Sequence, residues 1–131
     1  MASRGKGARI KGAQFERDLA KMFSEKTPLE AKRGLGQTRG GGSEVSDIDM
    51  PVLHVEAKRH KRCNIKGALE QAIADSTNNG KIPVAITKDD RKDILVTMRF
   101  DDWLQFFNSF LGTIDVQDFS HKQETITTRG G

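Results

Sequence analysis

The chain has 131 residues, 35% hydrophobic and 31% charged, a size that supports one buried core and one catalytic site. Its single cysteine, Cys63, excludes an intrachain disulfide and a thiolate zinc site. No apolar run approaches the ~18 residues of a membrane span, and the start lacks a secretory stretch, so a cytoplasmic protein with no membrane contact is expected, in the host cytoplasm if the chain is viral. The net charge of +4 is unevenly divided: residues 1–66 hold 15 Lys and Arg against 8 acids (+7), and residues 67–131 hold 7 against 10 (−3). The basic half is suited to a polyanion.

Residues 1–8 read as a flexible basic arm, and with Arg9 and Lys11 the cations Arg4 and Lys6 form an acid-free cluster placed to meet DNA phosphate. From Gly12 to about Ser24, Phe15, Leu19, Met22 and Phe23 fall at i, i+4, i+7 and i+8, one face of a helix that Pro28 ends. A short strand is expected over Leu35–Arg39, followed by the Gly40–Gly42 loop. Pro51 separates two strand pieces, and in the second a period of two puts Leu53, Val55 and Ala57 toward the core and His54, Glu56 and Lys58 on a charged face. Asn64 caps a helix to about Thr77, with Gly80 after it. Strands at Ile82–Thr87 and Asp93–Phe100 flank a polar turn, and a last helix from Asp101 or Asp102 to Leu111 carries more apolar surface than one helix face normally hides. The order is α-β-β-α-β-β-α, with one folded domain at 9–111 and a polar tail at 112–131.

The chemistry concentrates in three acids and a lysine. Asp47 and Glu56, brought together by a tight hairpin, supply hard oxygen ligands for Mg²⁺, with Mn²⁺ as a substitute, and the Ala57 carbonyl can add another. Asp49, two residues from Asp47, is the alternative second ligand. Lys58 is placed to orient an attacking water or to stabilise growing phosphoryl charge, and Glu16 can reach the ion through a water. A Glu-x-Lys on a strand is by itself commonplace as a solvated charge pair; the apolar strand, the preceding Asp and the basic surroundings give this one its weight.

The runs Lys11-Gly12-Ala13-Gln14-Phe15-Glu16-Arg17-Asp18-Leu19, Arg39-Gly40-Gly41-Gly42-Ser43 with Asp47 four residues on, and Val55-Glu56-Ala57-Lys58 together resemble the signatures of archaeal-type Holliday junction resolvases, in the PD-(D/E)XK nuclease superfamily. The resemblance covers roughly Arg9 to Trp103. It implies an α/β fold, a central mixed β-sheet flanked by helices in a restriction-endonuclease-like core. It also implies catalytic roles for Glu16, Asp47, Glu56 and Lys58, and a role for Ser43 and Arg39 at the scissile phosphate or junction backbone. Ser46 stands where the superfamily motif has its proline, and Asp47 and Glu56 are nine residues apart, shorter than is usual in the archaeal enzymes.

Gln71 falls on the helix after the catalytic strand, where many superfamily members carry a glutamine; an exposed polar residue explains it equally. His54, His60 and His121 need not be ligands in a carboxylate site. Arg59, Lys61 and Arg62, with Lys66, extend the strand's end into a basic run suited to a DNA backbone. The resulting expectation is a Mg²⁺-dependent endonuclease that cuts four-way junctions and leaves 5′-phosphate ends. One site per chain and two cuts per junction imply a homodimer, with the last helix as the candidate interface. Competing readings are a flap, repair or restriction-type PD-(D/E)XK nuclease and a non-catalytic basic DNA-binding module.

Overall fold

The computed structural model describes residues 2–34 and 46–118, the side chains of residues 2–6 excepted. The elements run α1 (Ala2–Lys26), β1 (Lys32–Arg33), β2 (Ile48–Asp49), β3 (Leu53–His60), α2 (Ile65–Asp75), β4 (Ile82–Asp89), β5 (Ile94–Thr97) and α3 (Phe100–Leu111). They form two compact units, Met1–Met98 and Arg99–Gly131, so α3 falls outside the unit that holds the sheet.

The sheet has the order β1-β2-β3-β4-β5. β3 and β4 are parallel and every other pair is antiparallel, the mixed sheet expected. The parallel pair requires a crossover, which α2 provides. Its start is fixed by Asn64, whose Oδ1 accepts from the Gly67 amide at 3.0 Å. Gly80, at φ +72°, turns the chain back toward β4.

α1 contributes Phe15, Leu19 and Ala20 to a core with Ile48, Met50, Val55, Ala57, Val84 and Ile86. Thr27 stops the helix by donating its hydroxyl to the Phe23 carbonyl at 2.6 Å, just ahead of Pro28. The helix begins well before Gly12. The segment expected as an arm is helical from Ala2, continuous with the amphipathic stretch.

The strand expected at residues 35–39 lies outside the described residues; the observed β1 is the two-residue Lys32–Arg33, paired with Asp49 and Ile48. Gly34, next in the chain, approaches so closely that a Cβ there would sit 2.0 Å from the Ser46 carbonyl oxygen, and its amide donates to the Asp47 carbonyl at 2.8 Å. No side chain fits without moving that backbone.

The β2–β3 hairpin is as tight as the nine-residue spacing demands. Val52 takes φ +76°, and the Leu53 amide donates to the Pro51 carbonyl at 2.9 Å, a strained three-residue turn for a β-branched residue. The Val52 carbonyl accepts from the Ile82 amide at 2.8 Å, which ties the hairpin to β4.

The charged face of β3 is largely buried, which sets aside the commonplace solvated pair as an explanation of Glu56 and Lys58. His54 is 1% exposed and Glu56 5%, because α2 packs on that side of β3 and β4 with Ala68 and Ala72 inward. Alternation along β3 predicts two faces, but the helix covering the second is set by the crossover, which no local pattern reports.

In the second unit α3 carries a stacked ladder, Phe100 to Trp103 at 6.0 Å and Trp103 to Phe107 at 4.9 Å between ring centroids. All three rings are exposed. Asp102, in its first turn, pairs with Arg99 at 2.9 Å. No described helix is long and apolar enough to cross a membrane.

Candidate active site

The site forms where the chain enters β2 beside β3. Ser46 and Asp47 replace the next rungs of the ladder with side chains. The Ser46 hydroxyl accepts from the Val55 amide at 2.8 Å and lies 2.8 Å from the Ile48 carbonyl and 3.1 Å from that of Val55, either of which it can donate to. The buried serine thus clamps the turn into the site, at the position where the superfamily motif has proline.

One residue on, Asp47 Oδ2 accepts from the Ala57 amide at 2.8 Å. This bond satisfies an amide that β2 no longer reaches and fixes the carboxylate beside β3. A residue's N–H and C=O leave a strand on the same side, so the Ala57 carbonyl also faces the Asp47 edge.

Glu56 projects under α2 and meets Lys58, whose Nζ lies 3.2 Å from Glu56 Oε1. The pair follows from strand geometry, since residues two apart share a face. Burial raises both carboxyl groups, Asp47 to about 6 and Glu56 to about 7. Glu56 is pushed further by the Asp47 charge, and Asp47 by Glu16, while Lys58 pulls both down without offsetting burial. Two acids confined together with one nearby ammonium form a centre short of positive charge, which a hard divalent cation fits.

Among the described residues no three His, Cys, Asp or Glu side chains converge on one point. A cation held by Asp47 and Glu56 would have to complete its shell with the Ala57 carbonyl, waters or substrate, the open coordination Mg²⁺ favours. Glu16 is held by Arg33, whose Nε donates to its Oε1 at 2.8 Å, and acts on Asp47 through its charge. Asp49 is placed elsewhere: it is exposed, lies 4.0 Å from Lys32 Nζ, and lines a separate cleft with Glu30 and Lys81.

Two charged residues near the site have no local signal in the sequence. Arg33 reaches Glu16 across 17 residues from β1. Asp75, at the end of α2, adds negative potential at Asp47, Glu56 and His54. A run of cations would not single out Arg33, and Asp75 depends on how α2 lies over the sheet. Gln71 is exposed, as are Lys61, Arg62 and Lys66. His54 is buried, with Asn79 Nδ2 2.9 Å from its Nδ1 and its Nε2 unpartnered, and burial lowers its pKa.

A groove of about 360 Å³ opens on this region, lined by Arg9, Glu16, Arg33, Lys58, Arg59 and His60 among others. Lys11 instead reaches Asp90 at 3.4 Å. Arg39 and Ser43 lie outside the described residues, and the side chains of Arg4 and Lys6 are not among those described.

The sequence profile of the family described as "Phage putative PDDEXK endonuclease" matches residues 7–129. No curated protein and no solved structure matches the chain. A mixed sheet flanked by helices, with an acid at the end of one strand and Glu-x-Lys on the next, is the core this family name describes, and the chain belongs to the phage PD-(D/E)XK endonuclease family.

Proposed function

We propose that the chain is a Mg²⁺-dependent endonuclease selective for branched DNA, which resolves four-way junctions as a homodimer in the host cytoplasm. The observation that carries the nuclease chemistry is the approach of Lys58 to Glu56 at 3.2 Å beside Asp47. Asp47, Glu56 and the Ala57 carbonyl would hold the cation, which supplies Lewis-acid stabilisation of the scissile phosphate and a more acidic water. Asp47 stays aligned through the Ala57 amide. Lys58, half-buried at the mouth of the groove, orients the nucleophile or meets the phosphoryl charge as it grows. Arg33 holds Glu16 at the edge of the site, and Arg9, Arg59 and His60 line the path of the backbone.

Junction selectivity is supported by the motif resemblance around Glu16, Asp47 and Glu56 and by a phosphate-binding charge pattern that contains no base-reading element. A junction needs two matched cuts and the chain has one site, so two copies act together. The exposed aromatic ladder of α3 is the proposed contact between them.

Matched four-way junction, fork, flap and linear duplex DNA, cut in Mg²⁺ under single-turnover conditions, test this reading. We expect the junction to be cleaved at least about tenfold faster than duplex, with paired nicks in opposing strands. Equal rates on duplex or a preference for flaps would overturn junction resolution and leave another PD-(D/E)XK nuclease. No cleavage of any DNA in Mg²⁺ or Mn²⁺ would favour the non-catalytic binding module.

A further inference from the structure

The turn after β4 places an acid between two cations, one on α1 and one on β3. Asp90 Oδ1 lies 3.4 Å from Lys11 Nζ on α1 and 3.5 Å from Arg59 Nη2 on β3. Both separations exceed those of a tight charge-assisted hydrogen bond, and all three side chains retain solvent access. Arg59 is held independently: its Nη1 donates to the Asp89 carbonyl at 3.3 Å. Its guanidinium therefore keeps its place without the Asp90 carboxylate.

Arg59 also joins two grooves. It lines the 360 Å³ groove beside Glu16 and Lys58, and a second one of about 540 Å³ that contains Lys11 and Lys88. Arg59 follows Lys58 on β3 but, since successive strand side chains alternate faces, projects toward α1, where Asp90 meets it.

Resting on the nuclease reading above, we propose that Lys11 and Arg59 form a second phosphate seat for the DNA backbone, and that Asp90 occupies it in the free protein as an internal competitor. A backbone phosphate carries the same charge as the carboxylate and can set both of its non-bridging oxygens against the fork of Arg59, whereas Asp90 offers it Oδ1 alone. Entering DNA displaces the Asp90 side chain from both cations; the turn itself is retained, because the Asp90 amide donates to the His60 carbonyl at 3.2 Å. The competitor lowers affinity for any single stretch of backbone. Stable binding then requires DNA that fills the catalytic groove and this seat together.

The test is binding of a four-way junction by the full chain in Ca²⁺, titrated over KCl concentration, for wild type, Asp90→Asn and Asp93→Asn. Asp93 is an exposed acid of the same turn with no ion pair among the described residues, so its variant controls for bulk charge. Asp90→Asn should bind about fivefold more tightly at low salt and steepen the salt dependence by about one phosphate equivalent, while Asp93→Asn changes affinity by less than about twofold. The gain should vanish when Lys11→Ala and Arg59→Gln are combined with Asp90→Asn. Unchanged affinity and slope for Asp90→Asn, or an equal gain for Asp93→Asn, overturns the seat while leaving the nuclease reading intact. Absence of DNA binding by every variant, wild type included, overturns both.

Discussion

Replacing Glu56 with glutamine is expected to slow DNA cleavage by about 10³-fold while junction binding changes by no more than a few-fold. Glutamine preserves the volume of a side chain that α2 covers almost completely, so the packing of β3 is undisturbed. What it removes is the anionic oxygen opposite Lys58 and one of the two carboxylates able to hold a cation. Single-turnover cleavage in Mg²⁺ and electrophoretic mobility shift in Ca²⁺ separate the two effects. A loss of binding equal to the loss of cutting would mean that Glu56 organises the fold or the DNA contact rather than the chemistry. Lys58→Ala is expected to give a similar split of somewhat smaller size, and full activity in that variant would remove the lysine from the site.

Stability and metal binding should depend on pH in opposite directions. Burial holds Asp47 near 6 and Glu56 near 7, whereas in the unfolded chain both ionise near pH 4. Between about pH 4 and pH 7 the native state therefore binds more protons than the unfolded state, and metal-free stability falls as pH rises through that window. The decline is complete above about pH 8, where both groups are ionised in either state. The two acids interact, so the fall belongs to the pair.

A cation binds only the ionised pair and reverses this trend. The metal-free melting temperature should decrease from about pH 5 to about pH 8, and saturating Mg²⁺ should raise it by about 5 °C at the higher pH and hardly at all at the lower. Cleavage should rise with pH over the same interval. A melting temperature that climbs from pH 5 to pH 8 without metal would show that these carboxylates are not held protonated by burial. Glu56→Gln supplies a control: a neutral amide has no charge to desolvate, so the Glu56 share of the pH dependence should disappear while the share due to buried Asp47 remains.

The sequence is most informative where a single local rule decides the outcome. Phe15 and Leu19 lie one helical turn apart and both are buried, and Asn64 caps α2 through its own side chain. Glu56 and Lys58 meet because residues two apart on a strand share a face. Legibility fails where long-range packing decides. Nothing near His54 or Glu56 in the chain indicates that α2 will cover their face, yet burial is the first cause of the raised Glu56 carboxyl. The Glu16–Arg33 bond spans 17 residues, and the Asp90 contacts span 79 to Lys11 and 31 to Arg59. β1 is two residues long, too short for any propensity to place, and depends on pairing with β2. The hairpin is legible as tight because the eight residues between Asp47 and Glu56 leave little chain to turn, and the strain that results falls on Val52.

In the proposed nuclease, Asp47 and Glu56, with the Ala57 carbonyl, hold the cation required for cleavage. A crystal of the full chain soaked in Mn²⁺ and measured at the manganese absorption edge tests it most directly. One anomalous peak is expected about 2.2 Å from a carboxylate oxygen of Asp47 and of Glu56 and from the Ala57 carbonyl oxygen, absent in crystals of Glu56→Gln. A peak on Asp49 instead, or an ordered Asp47–Glu56 pair that stays metal-free at Mn²⁺ concentrations supporting cleavage, would contradict it.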